Sequence, residues 1–122
     1  MKDKTITFEN ILDEPNRDKR IEIVLVDTYD EGEQRTAFCV YLEDNIEFPF
    51  KAKLRNTKKS EVFTVTRFSR LDPDIGIVCD VKIDGKSLKV PITEIEPIDN
   101  RKNDMIIKDY LKWLGEDIDD EL

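Results

Sequence analysis

The step Ile83-Asp84-Gly85-Lys86 constrains the fold more than any other stretch of the chain. A two-residue type I′ turn needs positive φ at both central positions, and Asp-Gly supplies it at little steric cost. On either side run Ile75 to Ile83 and Leu88 to Ile95, rich in apolar and β-branched residues, so the two are expected to pair as antiparallel strands. Val62-Phe63-Thr64-Val65-Thr66 and the alternating Lys51 to Arg55 read the same way, with a looser turn at Asp72-Pro73-Asp74. Four or five short strands at these intervals predict a small, strongly curved antiparallel sheet or SH3-like barrel.

Before the sheet the pattern changes. Asn16 after Pro15 suits a helix N-cap, and Asp18 in the first turn complements the dipole. A helix from about Arg17 to Tyr29 would put Ile21, Val24, Leu25 and Thr28 on one face, but the β-branched run Ile21 to Val26 suits a strand equally well. Gly32 is expected to break the segment, and a second helix to run from about Glu33 to Asn45 with Ala37, Val40, Tyr41 and Asp44 at helical spacing. Phe48-Pro49-Phe50 then forces extended backbone. A last helix is expected from about Lys102 to Leu114, apolar at Ile106, Ile107, Tyr110, Leu111 and Leu114 and stopped by Gly115. The fold class is therefore α+β: an N-terminal helical hairpin packed on a small antiparallel SH3-like sheet, with a C-terminal helix. Residues 1–16 read as an N-terminal arm, 17–115 as a single domain, and 116–122 as an acidic tail.

Length and charge narrow the function. With 122 residues the chain has material for one core. A net charge of −8 makes nucleic acid an unfavourable partner, because phosphate binding rests on accumulated lysine and arginine. Histidine is absent, which removes the commonest zinc ligand and general base, and Cys39 and Cys79 form no CxxC pair. No phosphate loop, HExxH or GxSxG occurs, so an enzyme is not expected. Met1-Lys2-Asp3-Lys4 is not followed by an apolar signal core, and no run approaches a membrane span. The expectation is a cytoplasmic monomer with no membrane partner.

The acids are not spread evenly. From Asp27 to Glu47 there are seven carboxylates (Asp27, Asp30, Glu31, Glu33, Glu43, Asp44, Glu47) against Arg35 alone. Clustered negative charge is self-repelling until a cation relieves it, and hard oxygen donors at this density suit Ca²⁺. The twelve-residue EF-hand loop does not fit: from Asp27 its third and last positions are Tyr29 and Phe38, and from Asp72 the last is Ile83. A site unlike the EF-hand is expected, with Asp27, Asp30, Glu31 and Glu33 near Gly32 as one set of metal ligands and Glu43 with Asp44 as another. The plainer reading is a solvated corner whose acids open a helix. Lys51 to Arg70 is the mirror image, seven bases against Glu61, and reads either as solvated strand faces or as an anion-binding surface. The alternative function is thus a non-enzymatic module that holds a protein or nucleic-acid partner.

Ile23-Val24-Leu25-Val26-Asp27-Thr28-Tyr29-Asp30-Glu31-Gly32-Glu33 and Tyr41-Leu42-Glu43-Asp44-Asn45-Ile46-Glu47-Phe48-Pro49-Phe50-Lys51-Ala52-Lys53 resemble the cyanobacterial calcium-binding family known as CcbP. Leu88-Lys89-Val90-Pro91-Ile92 with Glu94-Ile95-Glu96-Pro97 is similar to that family's final strand. The resemblance runs from about Arg17 to Asp99 and implies a helix before Asp27. It also implies a small acidic protein, buffer or sensor, that binds Ca²⁺ through the same six carboxylates. Gly32 and the run Phe38-Cys39-Val40 are its departures from the pattern.

Overall fold

The computed structural model describes residues 6–58, 61–116 and 118. Its first element is a 3-10 helix, Phe8–Asp13, opened by Thr7, whose N–H donates to Asn10 Oδ1 at 2.6 Å. Ile11 on this turn is buried in the core, so the described part of the expected arm packs against the domain. Helix α1, Arg17–Val24, starts where the cap predicts, with Asn16 Oδ1 accepting from Lys19 N at 3.0 Å. The helix alternative for Ile21 to Val26 is thereby realised through Val24. It stops short of Tyr29, however, because Thr28 folds back with both its N–H and its hydroxyl on Leu25 O. Its buried side chains are Arg20 and Val24, while Ile21, Leu25 and Thr28 are only half-buried.

Helix α2, Glu31–Asn45, corrects the role given to Gly32. The break lies before it, at residues 25–30, and Gly32 sits in the first helical turn. Asp30 is the reason: its Oδ1 accepts from Glu33 N at 2.8 Å, an N-cap bond that starts the helix two residues early. The helix also faces the core differently from expectation. Phe38, Tyr41 and Leu42 are buried and Val40 is exposed, because an aromatic and leucine stripe hides more apolar area than Ala37 and Val40 would.

Five strands follow: β1 Phe50–Leu54, β2 Phe63–Asp72, β3 Gly76–Ile83, β4 Lys86–Pro91 and, after a 3-10 turn at Ile92–Glu94, β5 Ile95–Pro97. They form one antiparallel sheet in the order β4-β3-β2-β1-β5, which is compatible with the expected SH3-like barrel. The β3–β4 turn has φ of 50° at Asp84 and 78° at Gly85, as the hairpin signal requires. The β2–β3 turn is held by Asp72 Oδ1, which accepts from Asp74 N at 2.8 Å and Ile75 N at 3.0 Å.

Helix α3, Arg101–Trp113, is capped by Asn100 on Asn103 N at 2.9 Å and ends before Gly115 at φ 92°. It buries Ile106, Ile107, Tyr110 and Leu111 against α2 and the sheet, whereas Leu114, at the helix end, is exposed. Trp113 stacks on Phe38 with centroids 5.0 Å apart and donates to Gln34 Oε1 at 3.2 Å, fastening α3 to the first turns of α2. Asn103, fully buried, brackets Glu47 by accepting from its N–H at 3.0 Å and donating to its carbonyl at 2.8 Å. Cys79 is a buried free thiol, pushed up to about 12 by burial and then by the charge of Asp80. Most of the acidic tail, residues 117 and 119–122, lies outside the described residues.

Candidate metal site

The turn from Val24 to Glu31 and the start of α2 together make a shallow depression rimmed by Asp27, Asp30 and Glu33, with Thr28, Gly32, Thr36 and Ala37 as its floor and wall. All three acids are exposed. Their local bonds are those of a helix start. Asp30 Oδ1 caps Glu33 N, and Glu33 Oε1 reaches back to accept from Tyr29 N at 2.6 Å, the residue before the cap, so the two side chains pin the backbone on either side of Asp30. These bonds leave Asp30 Oδ2, Glu33 Oε2 and the Asp27 carboxylate with unshared lone pairs at the depression.

The other expected ligands are placed elsewhere. Glu31 points to Arg35 one turn on, Oε2 to Nη2 at 3.3 Å, in an exposed i,i+4 pair. Glu43 and Asp44 are exposed at the far end of α2. Twelve helical residues separate Glu31 from Glu43, roughly 18 Å at the helical rise, so the two sets cannot share an ion. Glu47 is claimed by Lys102 at 3.1 Å; its carboxyl is held below its usual range by the Lys102 hydrogen bond first and that of Asn100 second. Among the described residues no group of three or more acidic, histidine or cysteine side chains closes around a single point. The donors at the depression are hard oxygens, the class Ca²⁺ prefers, and they are loosely spaced, as a large ion with flexible coordination allows. The chemistry of the donor set therefore fits Ca²⁺.

A larger groove of about 960 Å³ opens between β5 and the start of α3. It mixes charges of both signs and already pairs several of them: Asp104 lies 3.5 Å from Arg55 and 3.1 Å from Lys108.

Sequence reasoning missed what ties the helices to one another. Asp109, wholly buried on α3, accepts from Arg20 Nε at 2.8 Å and Nη2 at 3.0 Å, from Arg17 Nε at 2.8 Å, and from Tyr41 Oη at 2.7 Å. Arg20 Nη1 also donates to Glu14 O at 2.7 Å. One carboxylate thus ties α1, α2 and α3 together, and Arg20 links them to the end of the N-terminal 3-10 segment. Burial opposes the Arg20 charge, yet hydrogen bonding and attraction to Asp109 outweigh it and raise the pKa above its ordinary value. Burial, followed by the charge of Asp109, drives the Tyr41 hydroxyl well above the usual phenol range. The signal in the sequence is Asp109 itself, an acid at core spacing between Ile106 and Tyr110.

Comparison with known proteins bears on the family and the fold. The CcbP family model, described as calcium binding, matches residues 19–114. The crystal structure of Anabaena CcbP is similar at 29% identity and a TM-score of 0.66, over 82% of this chain and 89% of that one. A calcium binding protein in the calcium-binding form is similar at 28% identity and a TM-score of 0.60, over 88% of this chain and 98% of that one. No curated protein sequence matches.

Proposed function

The chain belongs to the CcbP family of calcium-binding proteins, and from that premise we propose that it binds Ca²⁺ reversibly at the turn between α1 and α2, as buffer or sensor. The observation that carries the reading is the depression where Asp27, Asp30 and Glu33 keep unshared carboxylate oxygens while the other bonds of Asp30 and Glu33 fix the backbone beneath them. Asp27, Asp30 and Glu33 would hold the ion, with Glu31 joining when it leaves Arg35; Glu43 and Asp44 form a separate, weaker pair. Calcium supplies charge neutralisation of a self-repelling corner, and the chain supplies a rigid base for it. The protein acts as a non-enzymatic binder in the cytoplasm. Among the described residues no helix is long and apolar enough to cross a membrane.

Calcium titration by calorimetry tests this. Wild-type protein gives saturable heat in the micromolar range. Asp30→Asn keeps a good N-cap and removes only the charge, so its loss of affinity isolates the ligand role. Heat that is unchanged by Asp27→Asn, Asp30→Asn and Glu33→Gln together would move the ion away from this turn. The alternative, a module that holds a protein or nucleic-acid partner in place of calcium, is not favoured: the matching family is a calcium-binding one, and Arg67, Arg70, Lys53 and Arg55 all lie against acids of the same chain.

A further inference from the structure

The outer face of the sheet is basic, although the chain as a whole is acidic. Strand register sets Lys51 opposite Thr64, Thr64 opposite Lys82, and Lys82 opposite Ser87, so a single row crosses four strands with two lysines, two hydroxyls and no carboxylate. Lys51, Lys82 and Ser87 are exposed, and Lys51 Nζ donates to Thr64 Oγ1 at 3.1 Å. In the next row Asp80 lies between Arg67 and Lys89, at 2.7 Å and 2.6 Å, and Lys89 also reaches Ser69 Oγ at 2.9 Å. Toward the β5 edge Lys53 stands opposite Glu96 at 4.0 Å, and Asp99 accepts from the Lys51 N–H at 3.0 Å. Asp80, Glu96 and Asp99 are thus engaged, and among the described residues no carboxylate forms an ion pair with Lys51 or Lys82.

We propose that this row is a docking surface for a short acidic polypeptide segment. Its groups are ammonium and hydroxyl donors, which match carboxylates. No aromatic side chain lies in the row to stack a nucleobase, and the row carries no guanidinium to offer phosphate a bidentate fork; Arg67 beside it is tied through Nε to Asp80. Size argues the same way. Three strand spacings make the row about 14 Å long, the span of a few extended residues. A longer polyanion would run off the face and meet the acidic remainder of a chain at −8. Within a Debye length of roughly 8 Å the local lysines, not the net charge, govern the encounter. The proposal is independent of the calcium reading, since the row lies on the sheet and the acidic turn on the helices.

The test is fluorescence anisotropy with a labelled octaglutamate peptide at roughly 50 mM salt, where surface charges are weakly screened. The wild-type protein binds saturably, binding weakens on raising the salt, and Asp30→Asn leaves it unchanged. K51E/K82E weakens it by about tenfold or more, and K51Q/K82Q by less. Circular dichroism melts of each variant confirm the fold; should the reversed charges unfold the sheet, the glutamine pair carries the comparison. The proposal is overturned if wild-type protein shows no saturable binding, if the glutamine pair binds as well as wild type, or if single-stranded DNA or polyphosphate binds more tightly than the peptide.

Discussion

Removing the Asp109 carboxylate is the most informative single perturbation. The side chain is fully buried and accepts four hydrogen bonds, two from Arg20, one from Arg17 and one from Tyr41. Arg20 is itself 2% exposed. Asp109→Ala therefore leaves a guanidinium and a phenol hydroxyl inside the protein without their acceptor. Breaking a buried pair from one side costs about 3–5 kcal/mol, against a total stability of about 5–15 kcal/mol for a domain of this size. The midpoint of thermal unfolding should fall by on the order of 10–20 °C. Urea unfolding of wild type, Asp109→Ala, Arg20→Met and the pair Arg20→Met/Asp109→Leu measures it. The double variant should lose less than Asp109→Ala, since it removes the buried Arg20 charge together with its acceptor, leaving only the Arg17 and Tyr41 contacts to be lost. A loss below about 1 kcal/mol in Asp109→Ala would refute the reasoning, because it would mean that water reaches Arg20 freely.

Other outcomes follow from the same geometry. Calcium at a hundredfold excess over its Kd should stabilise the wild type by about 2.7 kcal/mol, read as a raised melting temperature, with the gain lost in Asp27→Asn/Glu33→Gln. Gly76→Ala should destabilise by about 1–2 kcal/mol in urea titrations, since φ is 93° there and a Cβ would lie 3.1 Å from Tyr110 Oη; Gly32→Ala should be neutral or slightly stabilising, because its φ is helical and the nearest atom is at 3.4 Å. The Asp80 pKa is lowered to about 2, first by the Lys89 hydrogen bond and then by that of Arg67. Its folded value lies below its ordinary one of 3.8, so its stabilising effect is complete above that pH and disappears as pH falls through about 2. Urea midpoints between those limits should converge for wild type and Asp80→Asn.

The β half of the molecule was legible because its signals are local. Asp84-Gly85 fixes a turn, and alternation in β1 fixes which side faces inward. The helix cap at Asn16 was equally readable, since a cap needs only residues a few positions away. What escaped depended on competition between neighbours. Gly32 looked like a breaker, but Asp30 three residues before Glu33 makes a cap strong enough to carry the helix through glycine. The inward face of α2 was misplaced because Phe38 and Leu42 outweigh Ala37 and Val40, and spacing alone does not rank them. The Arg20–Asp109–Tyr41 cluster joins residues 89 and 68 positions apart, which no local pattern announces. Of the proposed metal ligands, the grouping of Asp27, Asp30 and Glu33 follows from chain proximity; the outward turn of Glu31 depends on Arg35, one helical turn away.

The chain's single tryptophan is joined through its indole nitrogen to Gln34, the residue immediately after Glu33. Any ion that tugs the opening turn of α2 must also disturb that indole. Intrinsic emission thus becomes a label-free gauge that separates a spring from a sponge: a spectral shift on calcium addition marks a protein that relays occupancy, and constant emission during heat uptake marks one that stores the ion without reporting it.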